Sequence, residues 1–323
     1  MNTDYPSAQE SSVNKLSTAF VCLLALLAAS IVATAAAAEI RIQHAKGETV
    51  LPAVPKKVLV LDVPSLDNLD ALGVQPTGVP GGNLPSYLAK YEAPQYLKIG
   101  SLFEPDYEAI NAAEAELAIV GGRSSAKYQE VATILPTIDL SVDNQDYLAS
   151  AKNNIETLGK IFNKEQRAKE MLSTLDNNIT ALKQRAGDSG RAIILITNAG
   201  KVGVYGRGSR LGWLHNDIGF KTVADDIDDR FHGGDIVSFE YILEKNPDWL
   251  FVVDRDAAIG QRNAGNAAEQ VLNNALIQQT TAWKKQQIVY LKPQQAYIVS
   301  SGWQALTSIL EQLQQAMNKA RAQ

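Results

Sequence analysis

Three arginines in this chain occupy positions where α/β sheets bind ligands. Arg123 and Arg255 each follow a short, unbroken apolar run, and Arg210 lies in a glycine-rich loop that leads into a predicted helix. A guanidinium is always charged, donates hydrogen bonds as a fork and stacks on aromatic rings. Each arginine alone is more often a solvated surface residue. Three that face one predicted cleft favour an anionic ligand.

One histidine and one tyrosine add candidate metal ligands. His232 precedes two glycines, which let the backbone approach a ligand closely, and Tyr297 lies in the segment QAYIVSSG. The ordinary alternatives are a surface histidine and a tyrosine that packs in the fold. Together, an imidazole and a phenolate would complete the coordination of Fe³⁺, a hard cation that favours oxygen ligands.

A unit of helix, strand and arginine occurs twice. The two segments read PDYEAINAAEAELAIVGGR (residues 105–123) and FHGGDIVSFEYILEKNPDWLFVVDR (residues 231–255). Fifteen positions separate Glu108 from Arg123, and the same number separates Glu240 from Arg255. Because each segment also has an acidic helix start before a buried strand, we interpret the match as an internal duplication.

Strands alternate with helices on both sides of one long helical segment. Apolar residues recur at helical spacing over residues 145–186, and Gly159 and Asn163 mark a break, so the segment is one long helix or two successive ones. This pattern predicts an α/β fold with two βα lobes, mostly parallel sheets, and a long backbone helix that joins the lobes. The ligand cleft would lie between the lobes, at the carboxyl ends of the strands. Residues 292–302, which include Tyr297, are predicted to form a loop.

The N-terminus has the pattern of a secretory signal. An apolar run follows Lys15 and ends in small residues up to Ala38. A membrane anchor is the alternative, but the run is shorter than the roughly 20 apolar residues that a span needs. The single cysteine, Cys22, lies inside the run and not at its end, where a lipoprotein cysteine would lie. We therefore expect a cleaved, soluble protein that is not a lipoprotein.

The expected organisation has four parts. They are a signal peptide over residues 1–38, an N-terminal lobe over 39–145, a linking helix over 146–187 and a C-terminal lobe over 188–323.

Composition and missing motifs exclude several classes of function. The formal charge of −5 argues against a nucleic-acid partner. The chain has no phosphate-binding G-x-x-x-x-G-K-[ST] motif, no H-E-x-x-H and no G-x-S-x-G. Its three histidines, His44, His215 and His232, are too scattered for an autonomous zinc site. No constellation of residues demands an enzyme.

The chain resembles the ferric-siderophore-binding proteins of ABC importers, in the class with two lobes joined by a helix and in the branch that binds catecholates. The resemblance rests on five stretches: GSLFEPDYEAI, VGGRSSAKY, GRGSRLGWLHNDIG, FHGGDIVSFEYILEKNPDWLFVVDRD and QAYIVSSG. A haem or cobalamin carrier of the same class is the alternative, and a secreted α/β enzyme is a more distant one.

The resemblance implies a role for each candidate residue. Three arginines, Arg123, Arg210 and Arg255, would neutralise an anionic ferric complex. His232 and Tyr297 would bind the iron directly where a tetradentate catecholate leaves two sites open. Glu108 and Glu240 would dock on basic residues of the inner-membrane ABC permease. Both glutamates would also stabilise their helix N-termini by about 0.3–1 kcal/mol. The resemblance further implies a binding protein and not an enzyme, with no intrinsic cofactor. The protein is expected to act as a monomer in the periplasm.

Overall fold

The computed structural model describes residues 1–3, 39–82, 84–228, 233–260 and 267–322. The strands are β1 (Ile40–His44), β2 (Gly47–Leu51), β3 (Val58–Val60), β4 (Gly78–Val79), β5 (Leu97–Lys98), β6 (Leu117–Val120), β7 (Thr137–Asp139), β8 (Arg191–Asn198), β9 (Lys201–Tyr205), β10 (Lys221–Thr222), β11 (Asp235–Val237), β12 (Trp249–Asp254) and β13 (Ile288–Tyr290). The α-helices are α1 (Val63–Leu72), α2 (Tyr107–Ala112), α3 (Tyr128–Ala132), α4 (Tyr147–Ile161), α5 (Glu165–Ala186), α6 (Trp213–Asn216), α7 (Phe239–Lys245), α8 (Arg255–Ala258), α9 (Ala267–Leu272), α10 (Thr281–Lys284) and α11 (Trp303–Arg321).

The first sheet is entirely parallel. Its strand order is β5-β4-β3-β6-β7, and β6 is buried along its whole length between β3 and β7. A parallel sheet needs a crossover between neighbouring strands, and the short helices α1, α2 and α3 supply these connections. A small antiparallel hairpin of β1 and β2 packs beside β7.

The second sheet is mixed. Its order is β11-β9-β8-β12-β13, with β10 pairing β8 at the start of that strand. The pairs β8–β12 and β12–β13 are parallel, whereas β8–β9 and β9–β11 are antiparallel. The α/β prediction with two βα lobes is confirmed, and the antiparallel edge is a feature that the alternation of strands and helices did not predict.

The long helical segment consists of two helices, α4 and α5. Asn163 lies in the left-handed region, with φ of 52°, and ends the first helix run. Gly159 allows the two helices to approach closely, because a Cβ built there would lie 2.6 Å from the Cβ of Ala168. The expected lobe boundaries at residues 145 and 187 stay predictions.

The C-terminal helix α11 joins both halves of the molecule. It packs on α5 and on α1, which belongs to the first sheet's layer. The side chains of α1 cap its N-terminus: Asn68 Oδ1 accepts from Trp303 N at 2.8 Å, and Asp67 Oδ1 accepts from Gln304 N at 2.8 Å. One hydrophobic cluster runs from Val60 through this helix layer to Phe251. The two sheets therefore share a core.

The chain differs from the sequence prediction just before α11. Residues Gln295–Val299 form a π-helical turn where a loop was predicted. Ser300 N donates to Gln295 O at 2.8 Å, and Ser300 leaves the turn with φ of 43°. Within the described part of the chain, no helix has the length and apolar character that crossing a membrane requires.

The cap on α11 generates a stability prediction. Replacing Asn68 with Ala removes the acceptor for Trp303 N, so we expect the free energy of unfolding to fall by about 1–2 kcal/mol. Urea denaturation followed by circular dichroism would measure this. Asn153→Ala, at an exposed position of α4, is the control and should change stability by less than about 0.5 kcal/mol. Equal effects of both variants would show that the cap contributes nothing.

Candidate functional site

The duplicated unit places two of the arginines at equivalent positions in the two sheets. Arg123 lies in the 3₁₀ turn Gly122–Lys127 directly after β6, and Arg255 is the first residue of α8 directly after β12. The strand β6 lies between β3 and β7, and the strand β12 lies between β8 and β13. Arg210 comes from the loop between β9 and α6. Arg123 and Arg255 therefore lie at the carboxyl ends of parallel strands, and Arg210 reaches them from a loop that follows the antiparallel strand β9.

The three guanidinium groups surround the ring of Tyr297. Their central carbons lie 5.3 Å (Arg123), 4.7 Å (Arg210) and 5.8 Å (Arg255) from the ring centroid. These distances are within the range of cation–π attraction. The predicted convergence of three arginines and one tyrosine is therefore present, although nothing in the sequence placed the tyrosine at its centre.

The π-helical turn supplies the acceptors that hold two of these arginines. Arg123 donates to Tyr297 O at 2.7 Å and to Ile298 O at 3.2 Å, and Arg210 donates to Tyr297 O at 3.2 Å. Carbonyls in the last turn of a helix lack partners along the helix. Here the N–H of Trp303 donates to Asn68 in the cap on α11. The carbonyls of the turn accept hydrogen bonds from the two arginines.

Arg255 is held by two further neutral groups. Its Nε donates to the hydroxyl of Tyr297 at 3.1 Å, and its Nη1 donates to Asn198 Oδ1 at 3.0 Å. Asn198 ends β8, and sequence reasoning missed it because an asparagine at a strand end has no distinctive pattern. A phenol, an amide and carbonyls fix the direction of a guanidinium without neutralising its charge.

The cleft is consequently rich in positive charge. All three arginines are partly buried. Burial lowers the pKa of the Arg123 guanidinium, and the neighbouring charge of Arg210 lowers it further. Tyr205, buried at the end of β9, was also missed; burial raises its pKa to about 12. Like charges that are held close together in a partly dry site favour an anionic ligand.

A buried carboxyl group, Asp62, lies beneath the first-lobe arginine. It caps α1 and accepts from Ser65 N at 2.9 Å and Ser65 Oγ at 2.6 Å. Gly121 lets it approach, because a Cβ there would lie 2.9 Å from the carboxyl carbon. Burial raises the pKa of Asp62 to about 6, whereas the Ser65 hydrogen bonds and the charge of Arg123 act in the opposite direction. A helix-cap signal in the sequence would have found this residue.

Glu108 and Glu240 occupy matching positions away from the arginines. Each is the second residue of its short helix, α2 or α7, and each is exposed. Two residues further on, Ile110 and Ile242 are both buried. The two copies of the unit therefore share the order of cap, glutamate and buried isoleucine.

One predicted ligand cannot be placed. His232 lies outside the described residues, as do Cys22 and the rest of the segment 4–38. In the ranges that are described, no group of three or more His, Cys, Asp or Glu side chains is arranged to hold a metal ion.

Comparison with known proteins identifies relatives along almost the whole chain. Residues 58–295 match the model of a family described as periplasmic binding protein. The petrobactin-binding protein YclQ of Bacillus subtilis is 35% identical over 87% of this chain and 89% of its own length. Its crystal structure superposes with a TM-score of 0.81, over 86% of this chain and 98% of that one.

Two further solved structures are similar. The periplasmic catecholate-siderophore-binding protein VctP of Vibrio cholerae is 32% identical, with a TM-score of 0.82, over 86% of this chain and 99% of that one. The siderophore-binding protein BauB, solved with two molecules of acinetobactin and ferric iron, is 30% identical, with a TM-score of 0.80, over 86% and 98%.

The buried Asp62 predicts a pH dependence of stability. Its pKa is about 6 in the folded protein and 3.8 when exposed. The folded state thus binds more protons between about pH 4 and pH 6, and this contribution to the free energy of unfolding falls as pH rises through that window. Asp62→Asn cannot titrate. We expect the stability of the wild type relative to this variant to decrease from pH 4 to pH 6.

Denaturation of both proteins at several pH values would test this. Asp106→Asn, a replacement of an exposed helix cap, is the control. A wild-type-to-Asp62→Asn difference that stays constant with pH would contradict the assignment.

Proposed function

We propose that this chain, which belongs to the periplasmic binding protein family, captures a ferric catecholate siderophore outside the cytoplasm. It would deliver the siderophore for uptake by an ABC permease. It is a substrate-binding protein and not an enzyme. Such proteins need no intrinsic cofactor, and the ferric siderophore is the ligand.

The observation that carries the ligand class is the set of three arginines around Tyr297. Each donates to a neutral oxygen, which orients its guanidinium group. Catecholate oxygens bound to Fe³⁺ give a complex with net negative charge and flat aromatic rings. Guanidinium groups suit both features, since they donate to oxygen and stack on rings.

Siderophores are favoured over the other ligands that the sequence left open. The relatives named above bind petrobactin, a catecholate siderophore and ferric acinetobactin. Haem and cobalamin do not appear among them. We therefore assign the cleft to a ferric siderophore, and a shift of the Soret band on mixing with haem would count against this assignment.

We assign iron coordination to Tyr297 and His232. The hydroxyl of Tyr297 accepts a hydrogen bond from Arg255 Nε. A phenol that coordinates Fe³⁺ loses its proton, and an N–H donor at 3.1 Å is compatible with the resulting negative oxygen. His232 would provide the second ligand, so that a tetradentate catecholate reaches six coordination.

Docking on the inner-membrane permease is assigned to Glu108 and Glu240. Both are exposed on separate copies of the duplicated unit, and carboxylates suit a basic partner surface. We further propose that residues 1–38 are a cleaved signal peptide, that the protein is not a lipoprotein, and that it works as a monomer in the periplasm.

The arginine assignment predicts a selective loss of affinity. The probe is the ferric complex of a synthetic tetradentate bis-catecholamide, followed by quenching of tryptophan fluorescence and by co-elution. Arg210→Ala should weaken binding by about tenfold to a hundredfold, because it removes a charge-assisted contact. Arg207→Ala is a matched control from the same loop: Arg207 is exposed and lies 3.5 Å from Asp225. It removes the same formal charge outside the cleft.

Binding that is equally weak in both variants would mean that only net charge matters. Absence of any binding by the wild type would refute the siderophore assignment itself.

The coordination assignment makes a separate prediction. Binding of the tetradentate complex should produce a phenolate-to-iron charge-transfer band that is absent from Tyr297→Phe. That variant should also lose affinity for the tetradentate complex and retain affinity for a hexadentate tris-catecholamide, which leaves no open iron site. His232→Ala should show the same selectivity. Equal losses for both complexes would assign Tyr297 to the positioning of Arg255 and not to iron.

A further inference from the structure

We propose that two exposed apolar side chains, Phe103 and Ile236, contact the permease beside the docking glutamates. Phe103 is 63% exposed and Ile236 is 61% exposed. Among the described residues, and apart from the terminal Met1, they are the only large apolar side chains that are more than half exposed. Each lies within five positions of a docking glutamate, and this inference rests on the docking role proposed above.

The first-lobe side chain is presented by a tightly bonded turn. Ser101 Oγ accepts from Phe103 N at 3.2 Å and from Glu104 N at 3.0 Å, and Ser101 N donates to Glu104 O. Gly100 closes the turn with φ of 89°, where a Cβ would lie 2.4 Å from the backbone. An ordered backbone holds the phenyl ring outward, which lowers the entropy lost on binding.

The second-lobe side chain is presented by an edge strand. Ile236 lies in β11, opposite Gly203 of β9 in the antiparallel ladder. It lines a groove of about 320 Å³ that also includes Phe239 and Glu240. An acidic group and an apolar surface therefore lie side by side in this lobe, and in the other lobe Phe103 precedes Glu108 by five positions.

The occupant that fits both patches is one partner with two equivalent apolar contacts, each rimmed by basic residues. Charged rims give orientation and association rate, whereas buried apolar groups at the centre supply most of the affinity. A lipid surface is a poor alternative, because anionic headgroups would repel the acidic side chains.

The test measures transport and ligand binding in the same variants. Phe103→Ser and Ile236→Thr replace the chromosomal copy in the source organism, and initial uptake of ⁵⁵Fe is measured with the ferric bis-catecholamide probe. Each variant should lower uptake by about fivefold or more, and the double variant should lower it further. Affinity of the purified proteins for the probe and their thermal stability should equal the wild-type values.

Matched controls separate the apolar contact from general surface effects. Leu97→Thr alters a 38% exposed leucine on the edge strand β5 and should leave uptake unchanged. The conservative changes Phe103→Leu and Ile236→Val should retain most of the uptake. Immunoblots confirm equal amounts of protein in each strain.

The outcomes distinguish this inference from the proposed function. Normal uptake by the double variant, together with loss of uptake in Glu108→Ala and Glu240→Ala, would overturn the apolar contact and leave acidic docking intact. Normal uptake by both sets would overturn docking at these surfaces altogether. Weakened probe binding by Phe103→Ser or Ile236→Thr would also refute the inference, because the residues would then act on the ligand.

Discussion

Carbonyl groups at the π-helical turn Gln295–Val299 hold the positive charge of the cleft in place. Arg123, from the first sheet, and Arg210, from the second, donate to the same oxygen of Tyr297. Carboxylates in those positions would neutralise the guanidinium groups, and the cleft would lose its attraction for anions. A neutral acceptor orients a guanidinium group without adding a negative charge beside it. A chain with a formal charge of −5 can thereby present a local concentration of positive charge.

Much of this arrangement could be predicted from local pattern. The duplicated unit located Arg123 and Arg255 at strand ends, because a buried strand is a continuous apolar run and a strand end in a parallel sheet is a ligand position. The break between α4 and α5 was visible as Gly159 and Asn163, residues that permit close helix approach and left-handed backbone. Each of these signals lies within a few residues of the structure that it determines.

The features that escaped prediction depend on contacts between distant segments. The π-helical turn has no sequence pattern of its own, and the helix that follows it is capped by a distant residue: Asn68 accepts from the N–H of Trp303, 235 positions away in the chain. Asn198 has no distinctive pattern in the sequence, and its role depends on the approach of Arg255. The antiparallel edge of the second sheet follows from the tight Asn198–Lys201 connection between β8 and β9, which leaves no room for a crossover helix. Residues 229–232, which include His232, lie outside the described part.

The same long-range contacts limit how the protein can respond to its ligand. A wide rotation of the two sheets away from each other would uncap α11, at a cost of about 0.5–2 kcal/mol for a lost cap residue, and would divide the shared hydrophobic cluster. The free energy that either change costs is large compared with the binding free energy that a single ligand contact supplies. We therefore expect ligand binding to rearrange the arginines around Tyr297 while the helix layer of α1, α5 and α11 stays intact. A partner that contacts Glu108 and Glu240 together would then bind a surface whose two halves are already held at a nearly constant spacing.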